Sequence, residues 1–399
     1  MNIVQLTVGE YPHLRSVAGS QVLANAISFR KMGHEVMWIA VVPWTSIILE
    51  KVKRLDWIRR AALACAEHGI RFELVGTAIS IMRPHSFPIR DVELDRLAAR
   101  LQPCVATYHG PIVLHCRSYY AADLGIRIKR RQATQKTIVS FDMRSTFPEE
   151  MPLTMKWLGK LMYGYAKEWE ARLLRESDIA FLPLNHAREH LYRETGTCVR
   201  HAAIAGFDRE LACPHDFDDK WQNRKVAYVG SIGVWNVSDG VVGILECFRG
   251  WSQYVVSLSS TSGIGPGVQC LSLDYDAMPV FFSDMLALVI PADGVQASYF
   301  WNRQLRLNRF STKAAEALSM GVPLIVDSRL FELAEFVRQH ECGLIYSWDI
   351  HGFEGVAPGS EAADDAMLWK RLSANASRIS LQFQRETVLE RYIQAWEGL

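Results

Sequence analysis

Apolar residues along the chain fall into two alternating rhythms: short β-branched runs, and longer stretches in which they recur at helical spacing. The first run, Ile3–Val8, leads through a loop with Pro12 to Ser16-Val-Ala-Gly-Ser-Gln21, which opens a helix reaching about Met32. Gly33 and His34 turn the chain into a second apolar strand, Glu35–Val42. This is one βαβ unit, with Gly19 at its helix entrance, where open parallel sheets place ligands and where a tight turn alone would also explain a glycine. Helical spacing follows over Leu49–Cys65, a strand at Arg71–Val75 and a helix at Leu94–Leu101. Ile112–His115 and Thr137–Phe141 read as buried strands flanking a helix at Tyr119–Arg131. Lys156–Leu174 reads as one helix, Ile179–Leu184 as a strand and Asn185–Glu194 as a helix.

A second series begins near Lys225. Lys225-Val-Ala-Tyr-Val-Gly230 is a strand ending on glycine, followed by Ser231-Ile-Gly-Val-Trp-Asn-Val-Ser238 and a helix to Phe248. Tyr254–Ser259, Val268–Leu273 and Leu286–Ile290 are further strands, with a helical piece at Ala277–Phe282. A capped helix from Ser311 or Thr312 stops at Gly321 and Pro323 and runs into the strand Val322–Val326. A helix at Glu332–His340, a strand at Gly343–Tyr346 and a helical tail from about Leu368, broken near Ser380, complete the chain. Strands alternating with helices in both halves predict two doubly wound α/β lobes.

Length and composition agree with this picture. A chain of 399 residues exceeds one ordinary core, and 49% hydrophobic with 22% charged residues is a globular composition. No apolar run is long enough to span a bilayer, and the Met1–Val8 segment reads as a strand, without the basic leader and cleavage site of a signal peptide. The eight cysteines are scattered with no Cys-x-x-Cys pair, which argues against a zinc site or disulfide framework and points to a reducing cytoplasm. Net charge is +1, yet residues 1–205 carry 28 Lys and Arg against 19 Asp and Glu, leaving 16 against 24 in the remainder. A basic first half can attract the acidic second half or an anionic surface. Two basic helices bear on this: Lys51, Lys53, Arg54, Arg59 and Arg60 interleave with Leu55, Trp57 and Leu63, while Lys156–Leu174 carries Trp157, Tyr163, Tyr165 and Trp169. Such helices suit a membrane surface or, equally, an ordinary surface packed through its tryptophans.

Candidate chemistry collects at strand ends and at one helix start. His115-Cys-Arg117 and Asp142-Met-Arg144 end two first-half strands. In the second half, Lys313 and Glu316 lie three residues apart and share a helix face. Cation and acceptor at a helix N-terminus suit a ligand bearing phosphate and hydroxyls, although alone they also describe a solvated ion pair.

The chain resembles a family-4 glycosyltransferase of the GT-B fold, in which two Rossmann-like lobes close over a nucleotide-sugar in an interdomain cleft. The resemblance rests on Ala18-Gly19, Met32-Gly-His-Glu-Val36, Asp142-Met-Arg-Ser-Thr-Phe-Pro-Glu149, Glu168-Trp-Glu-Ala-Arg-Leu-Leu-Arg-Glu-Ser-Asp178, Val226-Ala-Tyr-Val-Gly-Ser-Ile232, Thr312-Lys-Ala-Ala-Glu-Ala-Leu-Ser-Met-Gly-Val-Pro323 and Glu341-Cys-Gly-Leu-Ile345. It implies an acceptor lobe over residues 1–205, a donor lobe over 206–383 and a last helix, about 384–399, crossing back to the first lobe. The family's second-lobe motif pairs two carboxylates seven residues apart, the latter bonding ribose hydroxyls. Glu316 matches the latter, while the former falls on Asn308, a departure that removes a charge at the sugar end. The family also often carries Arg and Lys after the glycine matched by Gly230, and neither is present here. The diphosphate would then rely on Lys313 and Arg303, with Arg306 and Arg309 nearby, on the amides of Phe310, Ser311 and Thr312, and on backbone approach at Gly19, Gly230 and Ser231. Asp142, Arg144 and His115 would be the catalytic candidates, Asp142 orienting a sugar hydroxyl or accepting the acceptor's proton. A structural Asp142–Arg144 pair and a core histidine are the competing readings.

The resemblance implies a retaining, metal-independent transferase with no cofactor and a UDP- or GDP-linked sugar as co-substrate. The Asp-x-Asp at Asp274-Tyr-Asp276 falls where the family contacts the base. Its acceptor would be a lipid-linked or small-molecule glycan, as in surface polysaccharide or other glycoconjugate assembly. Its setting would be cytoplasmic, peripheral to an anionic membrane through the basic lobe, with no nucleic acid partner. The missing cations and the missing first carboxylate keep a second class open, a non-catalytic GT-B subunit that binds or activates a partner enzyme. A nucleotide-sugar epimerase is disfavoured because no acid/base carboxylate pair is evident.

Overall fold

The computed structural model describes residues 1–14, 18–44, 51–78, 89–132, 135–211, 216–230, 232, 238–257, 264–292, 300, 302–303, 307, 310–355 and 362–399. These form two compact units, Met1–Ala202 with Leu389–Leu399, and Ala203–Val388. The last helix, Arg385–Glu397, therefore begins in the second unit and ends in the first.

In the first unit the strands are β1 (Asn2–Val8), β2 (Glu35–Pro43), β3 (Arg71–Thr77), β4 (Ile112–Arg117), β5 (Thr137–Asp142), β6 (Ile179–Leu182) and β7 (Arg200–His201). They lie in the order β3-β2-β1-β4-β5-β6-β7, all parallel. Every residue of β1, β4 and β5 is buried. This explains why they read as continuous apolar runs rather than alternating ones: a parallel sheet is covered on both faces. The order reverses between β1 and β4, and the C-terminal ends flanking that reversal are where such sheets place ligands. Helix Tyr119–Arg131 is tied to its neighbours by buried Asp123, which accepts from Arg127 Nε at 2.8 Å, Trp169 Nε1 at 2.8 Å and Arg172 Nη2 at 2.7 Å.

The second unit repeats the plan. Strands β8 (Lys225–Val229), β9 (Ser252–Val256), β10 (Val268–Leu271), β11 (Ala287–Ile290), β12 (Leu324–Asp327), β13 (Gly343–Ser347) and β14 (Gly352–Phe353) lie in the order β10-β9-β8-β11-β12-β13-β14. Only β14 runs antiparallel to its neighbour among these strands. Phe248, Trp251, Tyr346, Phe353 and Trp369 fill the core on one side of this sheet.

Three stretches depart from the sequence reading. The single helix expected over Lys156–Leu174 is instead two, Lys156–Leu161 and Tyr163–Glu176, divided at Met162 and preceded by a third, Phe147–Thr154. Lys156, whose φ of 52° is left-handed and cannot continue a right-handed helix, separates them from that preceding helix. The strand placed at Val322 starts only at Leu324, because the Val322 amide still bonds back to Ala317 O and Pro323 has no N–H to give. The entrance to the first helix, Ala18–Leu23, is wound in the wider π form, a form that occurs mostly as single turns within helices.

Candidate functional site

In the second unit the site is built on helix Thr312–Ser319. Ser311 caps it with its side-chain oxygen, which accepts from the Ala314 amide at 3.2 Å, so this hydroxyl is engaged within the chain. Phe310 fixes the approach: its ring stacks on Phe383 at 5.6 Å and meets Phe336 edge-on at 5.8 Å. Thr312 opens the first turn and is half-buried. Lys313 turns towards the end of β8, its Nζ lying 5.4 Å from the Tyr228 ring centre. There it occupies the space a side chain at Gly230 would need, since a Cβ on Gly230 would lie 1.7 Å from Lys313 Nζ. With φ at 145°, Gly230 is also in a conformation that L side chains avoid. The Lys313 ammonium therefore sits beside the reversal between β8 and β11, near helix-start amides that no preceding carbonyl can satisfy.

One turn further along, Glu316 is buried at 7% exposure. No hydrogen-bond donor among the described residues engages its carboxylate. Burial pushes its pKa up to about 7, partly opposed by Arg385 and then Lys313. Behind it the backbone is bolted in place. Glu316 O accepts from Ser319 Oγ at 2.7 Å, and Ser319 Oγ accepts from the Phe207 amide at 2.9 Å. Arg385, 1% exposed, donates to Gly206 O at 2.5 Å and Tyr275 Oη at 3.0 Å, and lies 3.5 Å from Asp208. Asp274 and Asp276 flank Tyr275 and are exposed while the ring turns inward. Among the described residues no group of three or more His, Cys, Asp and Glu side chains is arranged to hold a metal ion.

Arg303 is half-buried upstream of the helix. Ser231, Asn308, Arg306 and Arg309 lie outside the described residues. The sequence reading passed over Arg385, and also Asp327 at the end of β12. Asp327 is fully buried and gathers Arg329 Nη2 at 2.7 Å, Trp348 Nε1 at 2.7 Å and the Ala292 amide at 3.3 Å. The one signal was position, a carboxylate closing an apolar run at a strand's C-terminal end.

In the first unit the strand ends converge on Asp142. Arg144, left-handed at φ 58°, donates its Nε to Asp142 Oδ2 at 2.5 Å, and Tyr392 Oη donates to Oδ1 at 3.5 Å. Arg144 Nη1 also reaches Gln21 Oε1 at 3.4 Å. His115 lies 3.8 Å from Asp142, but its ring is packed against Phe29, Tyr392 and Trp396 and is 4% exposed side-on to the core. Burial drives its pKa down to about 4 against the pull of Asp142, so at neutral pH it is an uncharged core ring. It lies beyond hydrogen-bond distance of Asp142 and offers almost no surface to a ligand. Gly19 is equally occupied, because a Cβ there would lie 1.9 Å from Leu14 O. Its missing side chain admits the chain's own loop. At the reversal between β1 and β4, Arg117 Nε bonds both carboxylate oxygens of Glu10 at 2.9 Å, a pair not singled out from sequence.

Neither a family model nor a curated relative matches the chain. Solved structures do. A sucrose-phosphate synthase from Thermosynechococcus elongatus is 13% identical with a TM-score of 0.62, covering 100% of this chain and 98% of that one. A glycosyltransferase from Rickettsia africae ESF-5 is 10% identical with a TM-score of 0.61 at the same coverages. An α,α-trehalose-phosphate synthase (UDP-forming) from Burkholderia vietnamiensis is 11% identical with a TM-score of 0.53, covering 100% and 99%. At these identities the likeness is one of fold, and the fold is GT-B, two Rossmann-like parallel sheets.

Proposed function

We propose that this protein is a glycosyltransferase that takes a sugar from a nucleotide-sugar and passes it to a hydroxyl acceptor. The observation that carries the reading is Glu316: a buried carboxylate without a donor among the described residues, one turn from a lysine held against the glycine at the strand-order reversal. Ribose hydroxyls would supply the missing donors. Lys313 and the helix start would hold the diphosphate as its charge develops on leaving. The named fold neighbours, a UDP-forming enzyme among them, support a UDP-type donor. Family-4 membership, retention of configuration and a role in surface polysaccharide or other glycoconjugate assembly remain part of this reading, resting on the motif order in the sequence. Asp142, oriented by Arg144 and Tyr392, is the acceptor-side group in this scheme.

Thermal shift against UDP, GDP, ADP, CMP and dTDP and their sugars tests it. One nucleotide at a hundred times its dissociation constant should stabilise by about 2.7 kcal/mol, and no response to any of them contradicts the proposal. The engagement of Asp142 by Arg144 and Tyr392 favours a second reading, a nucleotide-binding subunit without turnover. Nucleotide binding with no donor consumption across an acceptor panel would select it.

A further inference from the structure

Helix Lys156–Leu161 is built inside out. Its only buried residue is Gly159, and that glycine is required, since a Cβ there would lie 2.1 Å from Met151 O in the preceding helix. The large apolar residues face the other way: Trp157 is 72% exposed and Leu161 71%. The following helix, Tyr163–Glu176, starts one residue later and continues the stripe with Tyr165 at 40%. Residues 157, 161 and 165 recur at four-residue spacing, so they share a face. Lys156 and Lys160 are exposed beside it and form no ion pair among the described residues. The first exposed acid along the stripe is Glu168.

A helix that packs through glycine and presents tryptophan and leucine to solvent gains little for its own fold from those two side chains. Tryptophan and tyrosine between lysines are the residues that settle at a bilayer's interfacial layer, apolar body inward and polar edge or charge at the headgroups. The surface is an exposed helix face, which suits a deformable partner. The surrounding charge matches an anionic one, with 28 Lys and Arg against 19 Asp and Glu in residues 1–205. The other basic helix, Lys51–Glu67, differs: Trp57 packs against His13, ring centres 4.1 Å apart and planes tilted by 55°.

We infer that the Trp157–Leu161–Tyr165 stripe, with Lys156 and Lys160, docks the protein on an anionic lipid bilayer. The inference stands apart from the nucleotide assignment, and nucleotide thermal shifts should be unchanged in the variants below. The test is co-sedimentation of the full chain with vesicles of phosphatidylcholine alone and of phosphatidylcholine mixed with phosphatidylglycerol. Binding is expected to the mixed vesicles and to weaken with salt. Trp157→Ser with Leu161→Ser should lower the partition coefficient about tenfold or more. Lys160→Gln and Lys156→Asn, the latter a residue that tolerates φ above zero, should each lower it about fivefold. Leu55→Ser with Leu63→Ser, on the other basic helix, should leave it unchanged. Absence of binding to mixed vesicles, or binding that the Trp157 and Leu161 changes leave intact, overturns the inference. So does self-association in solution that those changes abolish without any vesicle binding, which would make the stripe a contact between copies.

Discussion

Replacing Glu316 by glutamine should make the ligand-free protein more stable above neutral pH while weakening its hold on a nucleotide. The carboxyl titrates at 4.5 when solvated and at about 7 in the folded chain, because burial penalises its charge. A raised pKa on an acid means the folded state binds the proton more tightly than the unfolded state. The group therefore costs nothing below 4.5, where it is neutral in both states. Its cost grows as pH rises from 4.5 to about 7 and is constant beyond. With the two values given, the full cost is about 3 kcal/mol. Glutamine carries no charge to desolvate, so the difference between variant and wild type should open from near zero around pH 4.5 to about 3 kcal/mol in the variant's favour by about pH 8. Urea unfolding across that range measures it directly. A difference that stays flat with pH, or a wild type that is the more stable at alkaline pH, would refute the claim that Glu316 is buried without a donor.

Gly230→Ala should displace Lys313, since its Cβ would fall 1.7 Å from Nζ at a φ of 145°. A loss of about 1–2 kcal/mol in stability, with nucleotide affinity reduced as in Lys313→Met, is the expected result by calorimetry. Arg385→Met removes the donor to Gly206 and Tyr275 and the partner of Asp208, and should destabilise by about 3 kcal/mol. It also removes the largest cationic influence on Glu316, so the pH midpoint of nucleotide binding should move up. His115 is a base whose pKa is depressed from 6.5 to about 4 by burial, so its neutral form is favoured in the fold. Stability should fall as pH drops from 6.5 towards 4, and His115→Phe should remove about 3 kcal/mol of that acid sensitivity in acid-denaturation curves.

Much of the architecture was legible because it is local. The buried runs Ile112–His115 and Thr137–Phe141 could be read as strands, which extend to Arg117 and Asp142, and helix Tyr119–Arg131 has the bounds its periodicity predicts. The two-residue strands Arg200–His201 and Gly352–Phe353 and the short helix Phe217–Asn223 carry too few residues to show a period. The Lys313–Glu316 pair was visible as an i, i+3 spacing, but the placement of Lys313 against Gly230 joins residues 83 positions apart and leaves no trace in either neighbourhood. Arg385 bonds Gly206 across 179 positions, and a lone arginine opening a helix gave no reason to expect it. Composition alone also could not separate the two basic helices. Trp57 and Trp157 look alike in sequence, yet one packs against His13 and the other faces outward. Which face a tryptophan takes was decided by Gly159, whose contact with Met151 turns the helix over.

The measurement that bears most directly on the donor site is calorimetric titration of the stabilising nucleotide into wild type and Glu316→Gln between about pH 6 and pH 8. If the ionised carboxylate receives the ribose hydroxyls, wild-type affinity should fall about fivefold between pH 7 and pH 6, following the ionised fraction. The glutamine variant should bind weakly and without that pH dependence. Equal affinity in the two proteins, at any pH in the range, would contradict the account.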